Sequence, residues 1–264
     1  MKENDWNKLA AEASSFVKEA AQIIKESFDK ELIVEYKSNP NDLVTDMDKK
    51  IEAFFQKKIT SVYPAHLILG EEGTGEDIQI LDGVVWIIDP IDGTTNFVHQ
   101  QRHFAISVGI YENGIGKVGI IYDVIGDELF SAISGQGAYL NGQELPKLKT
   151  AKIKEAIIGV NAGLAWRDDA LRQIVEDCRG TRSYGSAAIE MAYVAANRLD
   201  AYISLSLSPW DFAAGAIILE EVGAIITTIK GEELNFLKAS SICVAKQGLY
   251  QQLQTEYLKI EKGG

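Results

Sequence analysis

The chain is short of cysteine, histidine and positive charge. Its two cysteines, Cys178 and Cys243, stand far apart in 264 residues and in no metal-ligand spacing. They are expected as free, buried thiols of a reducing compartment. The three histidines, His66, His99 and His103, have no partner spacing that suggests a nucleophile and its base, so structural places are expected for them. Lys and Arg number 26 against 38 Asp and Glu, a net charge of −12. Nucleic-acid binding rests on neutralising phosphates with basic side chains, so that class is disfavoured, as is an anionic membrane surface. No apolar run reaches the about 18 residues of a spanning helix. The opening MKENDWNKLAAEA has no signal-type apolar core. A cytoplasmic protein is the expectation.

What is present is ordinary globular texture, 46% apolar and 24% charged, with enough length for one large core or two fused subdomains. Apolar residues at three- and four-residue steps predict helices over 5–29 and about 45–61, separated by an Asn-Pro-Asn break at 39–41. Thr45-x-x-Asp48 reads as the capping box of the second helix. From residue 66 the period shortens. Strands at 66–69, 84–88, 104–111, 117–122 and 128–133, punctuated by Asn-Gly and Gly-Asp turns, read as an antiparallel meander. After about residue 150 strands alternate with helices at 167–177, 186–197, 211–222 and 246–259. The expected fold is therefore an α+β subdomain over 1–150 and an α/β subdomain over 151–264, sharing an interface because no Pro/Gly/Ser-rich linker divides them.

Acidic residues fall at four places where a purely solvated role is strained. Glu71 and Glu72 follow the apolar HLIL; Asp89 and Asp92 end the run WIID-P-ID; Asp211 sits in PWDFAAG; Asp48 faces the apolar side of its helix. Each has a bland alternative: loop charges for Glu71 and Glu72, an Asx turn for Asp89 and Asp92, a helix cap for Asp48 and for Asp211. Taken together they point elsewhere. Two carboxylates this close repel unless a cation lies between them, and a set of hard oxygens suits Mg²⁺. The Ile91 carbonyl would add to the set. With Glu71 and Asp211 the oxygens suffice for two or three Mg²⁺ ions with waters. Gly93-Thr94-Thr95 is the complement: if Thr94 opens a short helix, its free N–H groups attract an anion such as phosphate. Gly185-Ser186-Ala187 opens another helix with small residues, either as the seat of the rest of a substrate or as a plain helix start.

The motifs GEE at 70–72, WIIDPIDGTTNFVH at 86–99, WDFAAG at 210–215 and DLVTDMD at 42–48 resemble the inositol monophosphatase family of Mg²⁺-dependent, lithium-sensitive phosphatases. Order, spacing and length match over almost the whole chain. The resemblance implies an alternating αβαβα sandwich of two subdomains with the site between them, and a homodimer. It implies metal ligation by Glu71, Asp89, the Ile91 carbonyl, Asp92 and Asp211. Glu71 and Thr94 would orient the attacking water, Asp48 would support Thr94, and the amides of Gly93 and Thr94 would hold phosphate. Asp92, Gly185, Ser186, Ala187 and Asp211 would line the substrate.

One position departs from the pattern. Inositol-selective members carry a glutamate seven residues before the last metal aspartate, where this chain has Ser204. The phosphatase chemistry is untouched, but inositol specificity is not assured. Inositol monophosphate is the first expectation; NADP(H), fructose 1,6-bisphosphate and 3′-phosphoadenosine phosphates, singly or with dual specificity, remain alternatives. A regulatory binding protein of the same fold is the non-enzyme alternative, against which stand the full carboxylate set and the acidic charge.

Overall fold

Leu9, Ala13, Val17, Ala20 and Ile24 bury one face of the first helix, α1 (Glu3–Lys25), as their spacing requires. The computed structural model describes residues 3–28, 34–36, 43–73 and 78–258; the break at 39–41 lies outside them. An antiparallel pair, β1 (Val34–Tyr36) and β2 (Leu43–Thr45), leads into α2 (Asp46–Val62). Then come β3 (Leu67–Gly70), β4 (Val84–Asp92) and the short α3 (Thr94–Gln100). The meander continues through β5 (Ala105–Glu112), β6 (Ile115–Asp123), β7 (Glu128–Ile133), β8 (Ala138–Leu140) and β9 (Gln143–Glu144). These seven strands, β3 to β9, form one sheet in chain order, with only β3 and β4 parallel.

The second half supplies β10 (Ile157–Val160), α4 (Ala162–Ala165), α5 (Asp169–Asp177), β11 (Gly180–Arg182), α6 (Ala187–Ala195), β12 (Ala201–Leu207) and α7 (Pro209–Glu221). It closes with β13 (Ile225–Thr227), β14 (Ser240–Ala245) and α8 (Gln247–Gln252), which runs on as a π turn over Leu253–Tyr257. Its sheet has the order β11-β10-β12-β14-β13, parallel across the first three strands and antiparallel beyond.

Three buried clusters show how the layers stack. Leu9 and Phe55 of α1 and α2 pack with Trp86 and Ile88 on one face of the large sheet. Val85 and Ile87, on the opposite face by strand alternation, pack with α6, α7 and with Tyr202 and Val244 of the small sheet. Ile158 and Ile203, on the far face of that sheet, pack with Leu171 of α5 and Leu249 of α8. The result is an αβαβα sandwich. Helix α7 follows residue 150 in sequence, yet it lies directly on β5 and β6. Glycines permit that approach: a Cβ on Gly109 would stand 3.0 Å from the Ala213 backbone, and one on Gly119 2.5 Å from the Ala214 carbonyl. A strand covered on both faces buries its side chains along its whole length, and all nine residues of β4 are buried, the two aspartates near its end included.

Local differences from the sequence reading have physical causes. The predicted helix 167–177 is α5, which begins at Asp169 behind its cap, Asp168 Oδ1 accepting from Leu171 N. A short helix absent from the sequence reading, α4, precedes it, with Asn161 Oδ1 accepting from Gly163 N. Helix α7 starts at Pro209, because proline is at ease in a first turn where no N–H bond is needed. Ser208 is its cap, and Asp211 sits inside the first turn, accepting from Ser208 N at 2.7 Å. The capping box of α2 is formed as its sequence suggests: Asp48 Oδ2 accepts from Thr45 N at 2.8 Å, and Thr45 Oγ1 from Asp48 N at 3.4 Å.

Candidate active site

Strand β4 does not stop at Ile88; it runs on through Asp92. Asp89 pairs with Ser107 of β5 and Asp92 with Ala105, so two residues on β4, Pro90 and Ile91, oppose the single Ile106 on β5. This is a β-bulge, and its chemistry is local. Pro90 has no N–H for the ladder, and the Ile91 N–H turns to Asp89 Oδ1 at 3.0 Å instead. In a regular strand, side chains three apart point to opposite faces; the extra residue brings Asp89 and Asp92 to one side. They meet Asp211 there. One carboxylate oxygen from each of the three aspartates lies within 4.8 Å of the others.

Burial and mutual repulsion mark this cluster. Burial, then the charges of Glu71, Asp92 and Asp211, push the Asp89 carboxyl well above the ordinary range. Burial and the charges of Asp92 and Glu71 push Asp211 up to about 8. Asp92 is raised only to about 6, because Ser186 and the amides of Ala188 and Ala187 oppose the burial. Three acids that resist ionising together have the donor chemistry of a divalent-cation site. Glu71 follows β3, its N–H bonded to the Ile88 carbonyl at 3.3 Å, and its charge bears on Asp48, Asp89, Asp92 and Asp211. Behind this loop is Glu52 of α2, fully buried, whose Oε2 accepts from Glu72 N at 2.7 Å. The sequence reading gave Glu52 no role; its place in the α2 helical stripe hid it.

Gly93 ends the strand with φ +94, a conformation suited to glycine. Helix α3 opens at Thr94 without a side-chain cap on its first amides. Thr94 Oγ1 lies 3.2 Å from Asp48 Oδ1 and 3.1 Å from the Ile91 carbonyl, so Asp48 does reach Thr94 across 46 residues. The Asp48 carboxyl is raised by burial, against the pull of its Thr45 bonds.

The other wall belongs to the second half. Ser186 Oγ and the amides of Ala187 (3.3 Å) and Ala188 (2.7 Å) all donate to the Asp92 carboxylate. Beyond lies a cleft of about 340 Å³, lined among others by Asp92, Asp211, Gly185, Glu190, Tyr202 and Ser204. Ser204 is therefore in the cleft, 7% exposed, its hydroxyl 3.4 Å from the Ser206 carbonyl. Glu190, Tyr202 and Asn161 were not foreseen as lining residues; Glu190 reads in sequence as one acid in a helix. The histidines stay outside the cluster. His66 Nδ1 accepts from Trp86 Nε1 at 3.0 Å, and the His103 carbonyl from Asn96 Nδ2 at 2.8 Å. Both cysteines are free, Cys243 buried and Cys178 half-buried. Among the described residues, no helix is long and apolar enough to cross a membrane.

A layered αβαβα chain with buried carboxylates beside uncapped helix amides has the make-up of a phosphoric monoester hydrolase. The sequence model of the inositol monophosphatase family matches residues 5–261. An inositol-1-monophosphatase of Bacillus subtilis (strain 168) is 51% identical over 263 residues, covering 98% of this chain and 99% of its own. Among solved structures, inositol monophosphatase II of Staphylococcus aureus MSSA476 superposes with a TM-score of 0.88 at 42% identity, covering 95% of this chain and 93% of the other. That type of staphylococcal enzyme is also known in complexes with inositol monophosphate and with 2′AMP. An IMPase/NADP phosphatase complexed with Mg²⁺ and phosphate is 28% identical with a TM-score of 0.88, covering 98% of this chain and 97% of the other. The chain belongs to the inositol monophosphatase family.

Proposed function

We propose that this chain is a Mg²⁺-dependent phosphomonoesterase for small phosphorylated metabolites, with inositol monophosphate as its first substrate. The observation that carries this reading is the meeting of Asp89, Asp92 and Asp211 oxygens within 4.8 Å, beside the uncapped start of α3. Glu71, Asp89, the Ile91 carbonyl, Asp92 and Asp211 would hold two to three Mg²⁺ ions. Bound there, Mg²⁺ supplies activation of water and neutralisation of charge on the phosphoryl group. The chain's own groups do the rest. The amides of Gly93 and Thr94 receive phosphate oxygens. Glu71 and Thr94 orient the water in line with the leaving oxygen, and Asp48 fixes the Thr94 hydroxyl. Gly185, Ser186, Ala187 and Ser204 receive the leaving group. No protein nucleophile takes part, so hydrolysis is a single displacement.

Ser204 supports a wider range than inositol phosphates. A neutral, short side chain in place of glutamate removes one hydroxyl-selecting acceptor, which admits 2′-nucleotides, NADP(H), fructose 1,6-bisphosphate or 3′-phosphoadenosine phosphates as further substrates. The test is phosphate release from this panel with and without Mg²⁺, ranked by kcat/KM. Release from none of them would favour a binding or regulatory protein. Release without Mg²⁺ dependence would remove the metal from the reading. A homodimer is the expected assembly on the family's pattern, and light scattering in solution reads it directly.

A further inference from the structure

Tyr184 immediately precedes the turn that lines the cleft, and its two peptide groups are held from opposite halves of the molecule. Its N–H donates to Glu190 Oε1 at 2.8 Å. Its carbonyl accepts from Asn96 Nδ2 at 2.6 Å. Glu190 is on α6, in the later half; Asn96 is on α3, immediately after the Gly93-Thr94-Thr95 stretch. The same Asn96 amide donates to the His103 carbonyl at 2.8 Å, so one side chain ties the first turn of α3 and the segment between α3 and β5 to the 184 turn. Gly185 comes next at φ +76, where a Cβ would lie 3.0 Å from Asn96 Nδ2.

Both holding side chains are buried, Glu190 at 3% exposure and Asn96 at 7%. Burying a carboxylate is unfavourable unless its oxygens are bonded. Glu190 has Oε1 engaged, while Oε2 has no hydrogen-bond partner. Strand β10 accommodates it: a Cβ on Gly159 would collide with Oε2. The rest of α6, AAIEMAYVA, offers little other polarity. An acid in this place makes sense through what it grips, the backbone at Tyr184.

We propose that Glu190 and Asn96 are positioning residues that together set the Gly185–Ala187 turn to receive the leaving group of the substrate. They touch neither the phosphate nor the reacting atoms. The inference rests on the phosphatase reading for its kinetic consequence but not for its structural one. The phosphate end is held by other groups, so the two ends of the substrate should respond differently.

The test compares Glu190→Ala, Glu190→Gln and Asn96→Ala with the unaltered chain, using inositol 1-phosphate as substrate and inorganic phosphate as inhibitor. Glu190→Ala and Asn96→Ala are expected to raise KM about tenfold with kcat kept within about threefold, the scale of losing one buried hydrogen bond. Inhibition by inorganic phosphate should be unchanged. Glu190→Gln keeps an oxygen for the Tyr184 N–H and should restore KM to within about twofold of the original. An unchanged KM in Glu190→Ala, an equal weakening of phosphate inhibition, or a Gln variant as impaired as the Ala variant would overturn the proposal. Amide hydrogen exchange separates this from the phosphatase reading. The amides of Tyr184 and Gly185 should exchange faster in Glu190→Ala than in Glu190→Gln, with the interior of α6 unchanged. If the unaltered chain hydrolyses no phosphomonoester, the functional reading falls while exchange still decides the clamp; equal exchange in both variants would end it.

Discussion

Asp92, the last residue of β4, caps α6 across the boundary between the two halves: Ala188 N donates to its carboxylate at 2.7 Å, and the Ser186 hydroxyl joins it. A negative charge at a helix start is favourable, and here it belongs to an acid that also faces Asp89 and Asp211. One carboxylate thus has two tasks, to join the halves and to complete the acidic cluster.

Asp92→Asn separates these tasks. The amide oxygen can still accept from Ala188 N, so the fold should survive. The charge is gone, and Mg²⁺-dependent phosphate release should fall by at least about a hundredfold, the upper range for weakened metal sites. Steady-state kinetics at saturating Mg²⁺, with circular dichroism as the control for folding, measure it. Near-normal hydrolysis would show that Asp92 is not a ligand.

Thr94 and Asp48 are linked through one hydroxyl. Thr94→Val keeps the shape and removes that hydroxyl; Thr94→Ser keeps the hydroxyl. If Thr94 orients the water, kcat in the Val variant should drop by about 10²-fold or more, the range for a misplaced reacting group, and the Ser variant should recover most of it. Equal activity in the two variants would make the hydroxyl structural only.

The Gly119 contact yields a prediction about stability alone. Its missing Cβ leaves room for the Ala214 carbonyl of α7, and backbone on both sides cannot yield as a flexible side chain would. Gly119→Ala should destabilise by about 2 kcal/mol, as overpacking of tight cores does. Denaturant unfolding reads it through a lower midpoint at unchanged slope. A variant as stable as the parent would mean that α7 shifts outward at little cost.

The acids at the ends of apolar runs were legible because charge beside buried sequence is informative on its own. The layers were legible too, since the meander and the later alternation leave different periods. The bulge at Pro90 was not, because it exists only in the register of β4 against β5. The strand therefore looked as though it ended before Asp89, when in fact both aspartates belong to it. Glu190 and Asn96 were hidden for a related reason. Their partner is a backbone peptide at Tyr184, and sequence does not show which backbone group a side chain will meet.

The raised carboxyls make metal binding and pH act on the same groups. Asp211 at about 8 and Asp92 at about 6 in the metal-free fold both lie above the ordinary value of 3.8, with burial the largest cause for each. A carboxyl with a raised folded value binds more protons folded than unfolded, so stability falls as pH rises through the interval between the two values. The chelated protein should therefore lose thermal stability from about pH 4 to about pH 8. Mg²⁺ replaces the protons as the counter-charge, and a ligand that binds only the folded state stabilises it. The increase in Tm produced by a fixed Mg²⁺ concentration should consequently grow between pH 5.5 and pH 8, and it should shrink in Asp211→Asn, which removes the carboxyl raised to about 8. Differential scanning calorimetry in EDTA and in Mg²⁺ across this range measures both slopes. A Mg²⁺ increment that stays flat with pH would mean that these aspartates are not what the metal binds.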